Sequence, residues 1–132
     1  DVENTRTYYA HYVKLLQEID ETDRMVEDFL KNSTQKAFII YHPALTYLAR
    51  DYGLTQYTIE MDGKEPSADQ IKKLIDTARE KGIKTVFIQE EFDQKNAETI
   101  AKETGCKLVT INPLSYNWKE EIIRIAKALS DE

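Results

Sequence analysis

The feature that most constrains this chain is an alternation: from residue 37 onward, short apolar runs of strand length exchange four times with segments of helical period. Residues 37–41 (AFIIY) form a continuous apolar run, and Pro43 can open a helix that carries Leu48, Ala49 and Tyr52 and stops at Gly53. A second strand near 56–61 precedes a helix from Ser67. There Ser67 and Gln70 make a capping-box signature, Ile71, Leu74, Ile75 and Ala78 supply the apolar stripe, and Gly82 ends it. Residues 83–89 (IKTVFIQ) read as the third strand, followed by a helix with Asp93 as N-cap, bearing Ala97, Ile100 and Ala101 and closing at Gly105. The fourth strand is 108–111, and a last helix from about Asn117 places Trp118, Ile122, Ile125, Ala126 and Leu129 on one face. Strands that alternate with helical patterns of roughly 10–15 residues imply a parallel sheet covered on both faces. The expected fold class is therefore α/β: a four-stranded parallel sheet in the order 2-1-3-4, joined by right-handed crossovers, with helices on both faces.

Ahead of the alternation, residues 2–30 contain neither Gly nor Pro, and Tyr8, Tyr12, Leu15, Leu16, Ile19, Val26, Phe29 and Leu30 recur at helical spacing. At ~1.5 Å per residue such a helix runs about 44 Å, longer than a domain of this size needs for its own core. Its first half is expected to reach beyond that core. With 132 residues and 41% hydrophobic content, the chain suits one domain that folds alone.

Charge and motif content exclude several functions. A net charge of −6, from 18 basic against 24 acidic residues, argues against nucleic acid as a partner, since phosphate binding begins with a basic surface. No apolar stretch approaches the roughly 18 residues that cross a bilayer, and the first residues show no basic-then-apolar leader pattern, as expected of mature, soluble sequence. Cys106 is the single cysteine, which excludes an internal disulfide and reads as a buried structural thiol. The four glycines, at 53, 63, 82 and 105, form no phosphate-cradling turn, and three of them stop helices. Thr34, Thr46, Ser67 and Ser115 have no His or acid at a spacing that suggests a hydrolase triad.

In an open parallel sheet, ligands bind beyond the carboxyl ends of the strands. The residues selected by that rule are His42, Met61, Asp62, Gln89, Glu90, Glu91 and Asn112. His42 is the most informative. Directly before Pro43 at an expected helix start, its imidazole is favoured as the neutral ring, which can accept a proton or ligate a metal. Taken alone, a single strand-end histidine is more often structural or solvated than functional. His11 sits in the long helix without a partner in the sequence pattern, and Glu90 with Glu91 reads as a solvated rim pair rather than an acid–base couple.

The segment YHPALTYLARDYGL at 41–54 resembles the motif of zinc- and manganese-binding components of bacterial ABC transporters, the ZnuA/TroA-like group. The likeness continues through GKEPSADQIKKLIDTAREKGIKTVFIQEEFDQKNAETIAKETG at 63–105 and INPL at 111–114, and residues 3–23 are similar to the family's long connecting helix. The resemblance implies two lobes joined by a rigid helix, with the metal held between them. It implies a division into 1–31, part of the interdomain helix, and 32–132, a C-terminal metal-site lobe whose N-terminal counterpart this chain lacks. It places a metal ligand at His42 and a second at Asn112, where the family carries a carboxylate, and gives Gln89 where a Glu is common. Imidazole at His42 suits zinc more than manganese.

The function implied is that of an extracytoplasmic solute-binding protein, periplasmic or lipid-anchored, monomeric and without catalysis. It would capture zinc, with manganese as an alternative cargo, and deliver it to an ABC-transporter permease. Zinc is expected in the full-length protein and weakly or not at all in this chain. Two other readings stay open: an adhesin-like interaction module on the same fold, revealed by metal-free binding to a host ligand, and a flavodoxin-like enzyme domain, revealed by a bound flavin or nucleotide.

Overall fold

The computed structural model describes residues 2–31, 33–61, 63–91, 94–112 and 117–130. Its elements are α1 (Val2–Lys31), β1 (Ala37–Ile40), α2 (Thr46–Asp51), β2 (Thr55–Thr58), α3 (Ala68–Lys81), β3 (Thr85–Gln89), α4 (Lys95–Thr104), β4 (Lys107–Ile111) and α5 (Trp118–Leu129). The strands form one sheet in the order β2-β1-β3-β4, parallel at every pairing, as the alternation of apolar runs implied.

Because successive side chains of a strand point to opposite faces, each apolar run feeds two cores. Phe38, Ile40, Phe87 and Ile111 pack with Val26, Leu30, Leu48, Ala49, Ile125, Ala126 and Leu129 from α1, α2 and α5. Ala37, Ile39, Val86 and Ile88 face the other way, onto Ala78 of α3 and Ala97 and Ile100 of α4. Phe38 and Phe87 meet edge to face across β1 and β3, with ring centroids 5.5 Å apart. Cys106 belongs to the second core and its Sγ lies 3.1 Å from the Ile83 carbonyl, which confirms the buried thiol.

Local signals explain most helix ends. The Ser67 hydroxyl accepts from the Gln70 amide at 3.2 Å while the Gln70 side chain accepts from the Ser67 amide at 2.8 Å, closing the capping box. Gly82 and Gly105 end α3 and α4 in the left-handed region, at φ 65° and 76°, where a side chain would be strained. Asp93, expected as the cap of α4, lies outside the described residues, and the N-cap position falls on Gln94, whose side chain makes no capping bond.

The expectation for Pro43 needs correction. The helix begins at Thr46, not in the turn opened by the proline, and it is only six residues long. Pro43 biases His42 toward extended backbone, and the Ala44 amide donates to the His42 carbonyl at 2.7 Å, so 42–45 leaves the strand as a tight turn. The start of α2 is satisfied from the neighbouring strand: the Gln56 side chain accepts from the Leu45 amide at 3.1 Å and donates to the Thr46 hydroxyl at 3.0 Å. Likewise β2 ends at Thr58 rather than at Met61; Met61 instead pairs with Lys64 across a turn that contains Gly63.

The long helix divides by environment. Thr22, Val26 and Leu30 are buried against the sheet and α5, whereas Tyr8 is 76% exposed and Tyr9, Tyr12, Leu15, Leu16 and Ile19 are also exposed. The first half of α1 therefore contributes no core to this domain, which accords with a length greater than the core requires. Among the described residues no helix is long and apolar enough to cross a membrane.

Candidate functional site

All four strands run the same way, so their carboxyl ends share one edge, and this edge collects the residues that the crevice rule selected. His42 follows β1, Gln89 is the last residue of β3, Glu90 and Glu91 follow it, and Asn112 follows β4. At ~4.8 Å per strand spacing, the ends of β1 and β4, with β3 between them, lie roughly 10 Å apart, within reach of side chains that converge. Asp62 lies outside the described residues, and Met61 is exposed in its turn.

His42 is 48% exposed through its side chain, and its Nδ1 lies 2.5 Å from Oε1 of Glu60, a carboxylate only 14% exposed. This contact, and not a helix start, sets the surroundings of the His42 ring, because the first residue of α2 lies four positions further on. Glu60 was not among the residues selected from sequence. Its signal is the register: β1 and β2 pair Ala37 with Thr55 and Ile40 with Thr58, and the same offset carries His42 to Glu60. Reading the second strand through to Met61 hid it.

Gln89 is a buried tie and not the rim group its strand-end position suggested. It is 1% exposed, its Nε2 donates to the His42 carbonyl at 3.0 Å, and its Oε1 has no hydrogen-bond partner among the described residues. The peptide of His42 is thereby held from β3 while its ring is held from the β2 side. Glu90 and Glu91 are exposed, in keeping with a solvated pair.

Asn112 is exposed, and its amide donates to Oε1 of Glu121 at 3.0 Å. Arg124 completes a bracket around the end of β4, donating at 2.5 Å both to the same Glu121 oxygen and to the Thr110 carbonyl. This bracket fixes the backbone at Asn112 from α5. Pro113 and the three residues after it lie outside the described residues. His11 is exposed on α1, in the half that stands clear of the core.

The chemistry available is that of ligation. A half-exposed imidazole on a backbone held from both neighbouring strands can donate a lone pair to a borderline cation such as zinc. Among the described residues, no group of three or more His, Cys, Asp and Glu side chains comes together to hold a metal ion.

Comparison with known proteins places these features. A sequence model of the family described as "ZnuA: Zinc-uptake complex component A periplasmic" matches residues 1–127. The chain is 35% identical over 122 residues to the zinc-binding protein AdcA of Streptococcus pyogenes serotype M18, covering 91% of this chain and 23% of that protein. It is 32% identical over 123 residues to the high-affinity zinc uptake system protein ZnuA of Bacillus subtilis, covering 92% of this chain and 39% of that protein. A crystal structure of ZnuA superposes with a TM-score of 0.91 at 35% identity, over 100% of this chain and 52% of that one. The laminin-binding protein Lmb of Streptococcus agalactiae, described as a bifunctional protein with adhesin and metal transporting activity, superposes at 0.71 with 29% identity, over 84% of this chain and 49% of that one. The chain thus spans about half, or less, of the length of these relatives. With the family match running over nearly the whole chain, and a parallel sheet that superposes on a ZnuA crystal structure, this protein belongs to the ZnuA zinc-uptake component family.

Proposed function

We propose that this chain is the C-terminal lobe, with part of the connecting helix, of an extracytoplasmic zinc-binding component of an ABC transporter. Residues 1–31 are the interdomain helix and 32–132 the lobe. Zinc is held between two lobes at the edge that carries His42 and Asn112, and is handed on to a permease without any catalytic step. The protein acts as a monomer, in the periplasm or anchored outside the membrane.

The observation that carries this reading is His42 itself: an exposed imidazole at the carboxyl edge of the sheet, its ring braced by Glu60 and its peptide by Gln89, in a chain of a zinc-uptake family. One imidazole and one neutral amide supply fewer donors than the roughly four ligands, or three plus water, that zinc takes. The remaining donors are assigned to the other lobe. The half of α1 that stands clear of this core is consistent with a helix that continues toward a second body.

Zinc titration of the full-length protein, with a competing chelator, tests the reading. Tight one-to-one binding should be weakened far more by His42→Ala than by His11→Ala, since only the first removes a coordinate bond; equal effects would contradict it. The isolated 132-residue chain should bind zinc weakly. A second reading, as a surface adhesin, takes its support from the likeness to Lmb; binding to laminin that persists in a chelator and in His42→Ala would favour it.

A further inference from the structure

The contact between His42 and Glu60 is built by the backbone and not left to two mobile side chains. Past the last paired residues of β1 and β2, the Ile59 amide donates to the Ile40 carbonyl at 2.9 Å and the Glu60 amide to the Tyr41 carbonyl at 3.1 Å. The parallel ladder therefore continues until residues 42 and 60 stand beside each other. The Tyr41 amide donates to the Phe87 carbonyl at 3.2 Å, and the His42 carbonyl accepts from Ala44 at 2.7 Å and from Gln89 Nε2 at 3.0 Å. On the other side, the Thr58 hydroxyl donates to the Glu60 carbonyl at 3.3 Å. Both Cα atoms are fixed before the side chains meet.

Exposure is unequal in a way that separates the two roles. The Glu60 carboxylate is nearly enclosed, whereas nearly half of the His42 side chain remains open to solvent. Burial restricts the rotamers of Glu60, so little further entropy is lost in holding the ring. The acceptor is thus the preset partner and the imidazole the more exposed of the two groups.

We infer that Glu60 is the positioning residue of His42, fixing the ring with its proton on Nδ1 and the lone pair on Nε2, directed to a divalent cation. This rests on the reading of His42 as a metal ligand. The neutral imidazole exists in two tautomers, and the hydrogen bond made by one nitrogen decides which nitrogen can ligate. A carboxylate oxygen can only accept, so at 2.5 Å it selects the Nδ1–H form. It also strengthens the opposite nitrogen as a donor, as outer carboxylates do for metal-bound histidines. Glu60 does not touch the cation; it acts through the ring.

The test joins a spectroscopic signature to affinity, in the full-length, metal-free protein with zinc ion as the probe. Long-range 1H–15N correlation spectra of the imidazoles, with the His42 signals identified by their loss in His42→Ala, report the tautomer. Wild type should show Nδ1–H. Glu60→Ala should lose that bias and bind zinc about 10–100-fold more weakly, while Glu60→Gln, whose amide oxygen still accepts, should keep the tautomer and recover most of the affinity. An Nε2–H ring in the wild type would overturn the proposal without any variant, so it remains testable even should Glu60→Ala fail to fold. A folded Glu60→Ala with unchanged tautomer or unchanged zinc affinity would overturn it as well. Unchanged zinc affinity in His42→Ala would instead overturn the ligand reading, and this proposal with it, while the spectrum still reports whether the pair exists.

Discussion

Replacing Gln89 with Met should stabilise the domain while loosening its candidate site. The side chain is 1% exposed and makes one hydrogen bond, from Nε2 to the His42 carbonyl at 3.0 Å. Losing that bond removes about 0.5–1.5 kcal/mol. The carbonyl is not orphaned by the change, since the Ala44 amide still donates to it at 2.7 Å. Against this stands Oε1, buried and without a partner among the described residues, which is destabilising by about 1–3 kcal/mol. Methionine has nearly the length of glutamine, is unbranched and adapts to irregular space, so repacking is minor. The balance is a gain on the order of 1 kcal/mol, or about 3–5 °C in Tm for a chain of this size. Urea unfolding followed by the fluorescence of Trp118, the chain's single tryptophan, reads the difference. A loss of more than about 1 kcal/mol would show that the whole amide is satisfied, and the reasoning would fail. In the full-length protein the same variant should weaken zinc binding, because the His42 carbonyl loses its side-chain tie to β3; stability and function then move in opposite directions.

Three further outcomes follow from other contacts. Thr85 is fully buried and its hydroxyl lies 2.8 Å from Gln35 Oε1 and 3.2 Å from the Ala128 carbonyl; Thr85→Val should cost about 1–3 kcal/mol in urea unfolding by stranding an acceptor, and Thr85→Ser should restore most of it. The Tyr52 hydroxyl donates to Asp23, and burial, followed by that bond and by nearby carboxylates, raises its pKa above the ordinary 10.0. The unfolded chain then ionises first, so stability should fall as pH rises above the ordinary value, and Tyr52→Phe should flatten that decline in urea midpoints measured across the alkaline range. Asn112→Asp should tighten divalent metal binding in the full-length protein and favour manganese relative to zinc, since it replaces a neutral oxygen by a charged hard donor; competitive titration with unchanged affinity for both ions would place Asn112 outside the site.

The fold was legible because its signals are local. Four apolar runs, a capping box at Ser67 and glycines at 82 and 105 each act within a few residues, and together they determine strand count, sheet type and helix ends. The order of strands follows from the rules that govern parallel crossovers. What escaped depends on residues brought together by the sheet. The start of α2 is set by Gln56, ten residues further along and on another strand, so Pro43 misled. Glu60 meets His42 only through the register of β1 with β2, and an error of a few residues in the end of β2 moved attention to Met61 and Asp62. Gln89 read as a rim group because a polar residue at a strand end is usually solvated; instead its side chain is buried and donates to the His42 carbonyl beyond the end of β1. Of the candidate site, the edge and His42 were thus readable from residue type and position, whereas the groups that brace His42 were not.

Zinc binding at His42 is tested most directly by anomalous scattering at the zinc absorption edge from crystals of the full-length protein grown with zinc. An anomalous peak is expected about 2.0–2.1 Å from His42 Nε2, with Nδ1 still on Glu60 and further ligands from outside residues 32–132. A fully occupied zinc elsewhere, with His42 beyond coordination distance, would contradict it.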